Sequence, residues 1–171
     1  MGSTMPDETL PVAERRLLVP DEAATRRLAA RLTEVLPRPC LVALAGDLGA
    51  GKTTFVKGVA AALEIDPAEV LSPTFGLIHE HAAAVAGGPR LVHADMYRLA
   101  DPGELVETGW EEASGGDAWV FVEWPERIAA ALPAERVEIE ITIDSAVART
   151  FTLRGRGAAQ AAAVQAIEAP A

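Results

Sequence analysis

Gly46-Asp47-Leu48-Gly49-Ala50-Gly51-Lys52-Thr53 is a complete Gly-x-x-x-x-Gly-Lys-[Ser/Thr] loop. The chemistry it can do is phosphate binding. Its glycines let successive backbone N–H groups turn inward around an anion with no Cβ in the way. Lys52 has the reach for β- and γ-phosphates, and the Thr53 hydroxyl is suited to Mg²⁺. The N-terminus of a following helix adds positive potential at the same place. The expected nucleotide contacts are therefore Asp47, Leu48, Gly49, Ala50, Gly51, Lys52, Thr53 and Thr54.

A phosphate site of this kind also needs a carboxylate near the metal and a group to position water. In open α/β sheets such groups come from the carboxyl ends of strands. Two residues stand there. Glu123 ends the apolar run Trp119-Val120-Phe121-Val122, and Asp95 ends Leu91-Val92-His93-Ala94. Each reads either as a magnesium ligand, direct or through water, or as a helix N-cap. Asp95 has an ion pair with Arg98 as a further alternative. Ser72-Pro73-Thr74-Phe75 occupies the connection that often senses a γ-phosphate, with Thr74 as the hydroxyl; a plain proline turn is the alternative. Trp124 reads as a stack for a base or partner, or as core packing. His79, His81 and His93 are scattered along strands with no metal-ligand spacing.

The elements that position these groups follow from periodicity. Leu41 to Ala45 is a buried strand, and Thr53 to Leu63 a helix with Phe55, Val56 and Val59 on one face. Leu17 to Val19 is a short strand. Asp21 caps a helix to about Leu36, which Pro37 and Pro39 end. Phe75 to His81, Arg90 to Ala94 and Trp119 to Val122 are strands. A short helix starts at Asp101, and another runs from Pro125 to about Leu132. Arg136 to Ile143 and Ala148 to Arg154 form an edge hairpin. The expected fold is α/β: one phosphate-loop NTPase domain, a central mostly parallel sheet with antiparallel edge strands, and helices on both faces. Its expected limits are 15–156, between a flexible tail at 1–14 and an Ala-rich tail or weak helix at 157–171.

Composition narrows the function. A net charge of −10 and only two lysines, Lys52 and Lys57, argue against this chain gripping a nucleic-acid backbone alone. A guanine-specific Asn/Thr-Lys-x-Asp segment is impossible, since no lysine follows Lys57. Arg98 and Arg127 are isolated, so no arginine-rich lid supports a small-molecule kinase. That kinase and a nucleotide-bound scaffold without turnover are the remaining alternatives. The single cysteine, Cys40, and the lack of a signal-like start or a long apolar span lead to the expectation of a cytoplasmic protein.

Four segments occur in series: the loop continuing through Thr54-Phe55, Ser72-Pro73-Thr74-Phe75, His93-Ala94-Asp95-Met96-Tyr97-Arg98-Leu99, and Glu123-Trp124-Pro125-Glu126-Arg127. In these the chain resembles the TsaE family of small bacterial ATPases, from about residue 15 to residue 155. Ala94 and Met96 depart mildly from the family pattern. The resemblance implies an ATPase of tRNA threonylcarbamoyladenosine formation that acts with TsaB and TsaD and meets tRNA only through them. It implies ATP and Mg²⁺ as cofactors, with Lys52 on the phosphates and Thr53 on the metal. Asp95 and Glu123 would complete the metal and water site, Trp124 would lie near the nucleotide, and Thr74 would belong to a switch-like segment.

Overall fold

Strict alternation of inward and outward side chains splits one sheet between two cores. The computed structural model describes residues 9–71 and 77–170. Its strands are β1 (Val12–Val19), β2 (Cys40–Gly46), β3 (Ile78–His81), β4 (Arg90–Asp95), β5 (Ala118–Glu123), β6 (Arg136–Ile143) and β7 (Arg149–Arg156). Its α-helices are α1 (Glu22–Val35), α2 (Lys52–Ala62), α3 (Trp110–Ser114) and α4 (Ala158–Ala166). The strands form one seven-stranded sheet in the order β1-β7-β6-β2-β5-β4-β3. β6, β2, β5 and β4 run parallel, whereas β1, β7 and β3 pair antiparallel at the two sides. This is the expected α/β architecture.

On one face α1, α2 and α4 cover the sheet. Leu28 and Leu32 of α1, Phe55 and Val59 of α2, and Val164 of α4 pack with Val42, Leu44, Phe121, Ile139, Phe151 and Leu153. On the other face Leu41, Ala43, Val92, Val120 and Val122 meet Leu105, Trp110 and Ile128. That second layer reaches only the parallel part of the sheet. Farther out, β1, β7 and β6 present ion pairs instead: Arg154 to Glu14, and Arg136 and Arg156 to Glu138.

Local chemistry explains the helix ends. The Asp21 carboxylate accepts the Ala24 N–H at 2.8 Å and caps α1. Helix α2 instead starts at Gly51, whose φ of 109° is open to glycine and strained for other residues.

Several boundaries differ from the sequence reading. β1 begins at Val12, inside the segment read as a tail; the inward positions of its first half, Ala13 and Arg15, are not the large apolar residues that mark a strand. The helix expected from Pro125 is present at residues 125–131 as a 3-10 helix, broken at Ile128 with φ of −129°. Trp110–Ser114, to which the sequence reading assigned no element, is helical. The Ala-rich end, read as a tail or a weak helix, is the helix α4, with Ala161 and Val164 in the core. β3 is described from Ile78, and the expected strand start at Phe75 and the Thr74 segment lie outside the described residues.

Candidate functional site

The carboxyl ends of β2, β4 and β5 converge on the start of α2. In the connection from β2 to α2, Gly46, Gly49 and Gly51 all have positive φ. A Cβ on Gly46 would also come within 2.8 Å of the Ile141 carbonyl oxygen, so β6 closes in from behind. The loop thus needs glycine where the motif has it.

Beside it lies a cleft of ≈ 410 Å³. Of the residues read as a site, Leu48, Gly49, Ala50, Gly51, Lys52, Thr53, Thr54, Asp95, Glu123 and Trp124 line it, together with Tyr97 and Arg98. Asp47 is not in the wall; its carbonyl accepts from Lys52 Nζ at 3.2 Å. The same ammonium donates to the Gly46 carbonyl and stands 4.1 Å from the centre of the Trp124 ring. Burial pulls the Lys52 pKa below its usual value, against the opposing pull of Glu123, Asp95, Glu126 and Asp47.

The parallel register of β4 and β5 sets Asp95 beside Glu123. The Thr53 hydroxyl at the start of α2 donates to the Glu123 carboxylate, 3.0 Å from Oε2 and 3.2 Å from Oε1. On the other side His93 Nε2 lies 2.5 Å from Glu123 Oε2, with both side chains buried. Asp95 Oδ1 accepts the Tyr97 N–H at 3.0 Å, a turn-forming contact. Among the described residues no group of three or more His, Cys, Asp or Glu side chains is arranged to hold a metal ion by itself. A hydroxyl and two carboxylates are hard oxygen donors, which fits Mg²⁺ completed by phosphate oxygens and water.

Trp124 adopts a left-handed backbone, φ 57° and ψ 51°, at a cost of about 1–2 kcal/mol for a non-glycine residue. The strain turns its ring back over the cleft, where it meets Tyr97 at 5.0 Å between centroids. Trp124 is thus at once a cleft wall and a partner of the second core.

The sequence reading missed two members. Arg149 of β7 donates through Nε to the Ala50 carbonyl at 2.9 Å and through a terminal nitrogen to the Gly49 carbonyl at 3.2 Å. It ties two carbonyls of the loop from the side of β7. Arg149 also borders a second hollow of ≈ 240 Å³, which shares Gly49, Ala50, Gly51 and Thr54 with the first and reaches Thr25 and Val147. His93 is the other, set aside because an isolated histidine in an apolar run carries no spacing signal.

Comparison with known proteins converges on one family. The family model described as "Threonylcarbamoyl adenosine biosynthesis protein TsaE" matches residues 19–151. The chain is 40% identical over 127 residues to the tRNA threonylcarbamoyladenosine biosynthesis protein TsaE of Bacillus subtilis, covering 74% of this chain and 75% of that one. It is 38% identical over 125 residues to the protein of that name from Streptomyces coelicolor, covering 73% and 82%. The crystal structure of YdiB from Bacillus subtilis superposes with a TM-score of 0.67 at 32% identity, covering 86% of this chain and 88% of that one. With the family model spanning the whole cleft-forming core, this chain belongs to the TsaE family of tRNA threonylcarbamoyladenosine biosynthesis proteins.

Proposed function

We propose that the chain is a Mg²⁺-dependent ATPase. It acts on a TsaB–TsaD complex during formation of threonylcarbamoyladenosine at position 37 of tRNAs that read codons beginning with A. The observation that carries the ATPase reading is the contact between Thr53 and Glu123, 3.0 Å apart at the head of α2 and the end of β5. It joins a metal-binding hydroxyl to a buried carboxylate beside Lys52 and the glycine loop. The partner proteins and the tRNA enter through family membership.

In this reading the loop N–H groups and Lys52 grip the β- and γ-phosphates, with Lys52 leaving the Gly46 and Asp47 carbonyls to do so. The nucleoside extends past Thr54 into the second hollow. Thr53, Asp95 and Glu123 would hold Mg²⁺, directly or through water, and Glu123 would orient the attacking water. The metal supplies charge neutralisation at the phosphates. Trp124 covers the site against solvent. A net charge of −10 suits a protein that meets tRNA through its partners. Among the described residues no helix is long and apolar enough to cross a membrane, and a cytoplasmic location is part of the proposal.

The test is phosphate release by the wild type, Lys52→Ala and Glu123→Ala, with and without TsaB and TsaD. The expected result is slow turnover alone, stimulation by the pair, and loss in both variants. Removal of a metal-site group is expected to cost about a hundredfold or more in rate. Equal nucleotide affinity in Lys52→Ala and wild type, measured by calorimetry, would overturn the loop assignment. A folded Glu123→Ala variant with unchanged turnover would remove Glu123 from the chemistry.

A further inference from the structure

His93 has no part in the mechanism above, yet it is wholly buried against the group on which that mechanism turns. The register of β4 and β5 pairs His93 with Phe121 and Asp95 with Glu123. His93 and Glu123 are therefore diagonal neighbours on one face of the sheet, the face that packs beneath α2. The imidazole reaches along that diagonal until Nε2 is 2.5 Å from Glu123 Oε2. An ionised carboxylate only accepts hydrogen bonds, so Nε2 carries the hydrogen and donates. The other ring nitrogen, Nδ1, is buried with no hydrogen-bond partner among the described residues.

We propose that His93 is a positioning residue for Glu123, fixing the carboxylate so that its free edge faces Thr53 and the cleft. The mechanistic consequence rests on the ATPase reading; the contact itself does not. The Thr53 hydroxyl touches both carboxylate oxygens. If Thr53 were to hold Mg²⁺, as in the ATPase reading, that restraint on Glu123 would weaken. The His93 hydrogen bond is independent of the metal and still holds Oε2. Outer partners that orient a metal-site group in this way are worth about 10–100-fold in affinity or activity.

Two measurements test the proposal. Proton–nitrogen correlation NMR of the imidazole in nucleotide-free protein should find His93 protonated on Nε2, with a far-downfield Nε2 proton that moves upfield in Glu123→Ala. Steady-state kinetics should then separate two variants. His93→Leu keeps the volume without the donor, and is expected to lower kcat by about 10–100-fold with KM for ATP little changed. His93→Gln places an N–H at similar reach and is expected to recover most of the loss. Protonation on Nδ1, an Nε2 proton indifferent to Glu123→Ala, or equal turnover in the Leu and Gln variants would overturn the proposal. A wild type without ATP hydrolysis would defeat the functional reading instead, and the NMR result would still decide the His93–Glu123 link.

Discussion

Lys52 rests its ammonium on the face of Trp124, 4.1 Å from the ring centre. The residue is buried, and burial lowers its pKa despite four carboxylates nearby. Holding a charge there disfavours the folded state. Lys52→Met is therefore expected to raise the melting temperature at neutral pH while abolishing nucleotide binding. A thermal melt and a calorimetric titration of the same variant check both halves. A variant that melts well below the wild type would show that the ammonium stabilises the fold.

Binding of a phosphate would draw Lys52 off Trp124 and change that ring's surroundings. The other two tryptophans are remote from the cleft: Trp110 sits in the second core, and the Trp119 indole donates to the Pro37 carbonyl at 2.9 Å. Tryptophan emission should change on adding Mg²⁺ and ATP, and the change should vanish in Trp124→Phe. A full response in that variant would place the reporter elsewhere.

Arg149 holds the loop carbonyls of Gly49 and Ala50 through charged hydrogen bonds. Arg149→Ala should weaken nucleotide binding by about 1–2 kcal/mol, or roughly tenfold, through loss of loop order. Arg149→Lys should recover only part, because a single ammonium cannot repeat the fork. Calorimetry on both variants measures this, and an unaltered affinity in Arg149→Ala would show that the loop holds its shape without it.

Leu48 and Tyr97 flank the cleft with 67% and 43% of their surface exposed. A partner that covers the nucleotide would bury both. The ATP-analogue form should bind the TsaB–TsaD pair more tightly than the ADP form, by about 5- to 150-fold if the coupling is 1–3 kcal/mol. Leu48→Asp should weaken that association and leave nucleotide affinity intact. Sedimentation in the two nucleotide states is the measurement, and equal affinities would remove nucleotide control from the proposal.

Cys40 lies in the first core, where burial pushes its thiol up to about 12 from 9.0. Because the folded-state value is the higher one, the folded chain holds this proton more tightly. Stability is then unaffected by the group below pH 9, and falls as pH rises from 9 toward 12. The wild type should lose stability across that window relative to Cys40→Ala, in urea melts at a series of pH values. Parallel curves for the two proteins would show the thiol to be less buried than described.

How much of this was legible depends on which residues had to meet. The loop could be read because its chemistry lies in residue types at fixed spacing along one stretch. Glu123 and Asp95 could be read as candidates because an apolar run ending in a carboxylate marks a strand end. That the register sets them side by side required the sheet. Arg149 could not be read, since its contact with Gly49 depends on β7 lying next to β6 beside the loop. His93 was hidden by its own setting, because only pairing with β5 reveals what its ring touches. The first half of β1 was masked by its short and charged inward residues, Ala13 and Arg15, which carry too little hydrophobic signal to mark a strand.

The pairing of β1 carries a consequence for how the chain comes into being. Val12 to Val19 lie against Arg156 to Arg149, so the first strand finds its neighbour only when the last strand exists. α4 then packs on both. Such distant pairing closes a very long loop and slows folding. On the ribosome the parallel part of the sheet can form while β1 waits, an open edge with Leu17 and Val19 uncovered. A chain that stops before Arg149 would keep its glycine loop and both carboxylates, yet leave that strand free to pair with another molecule.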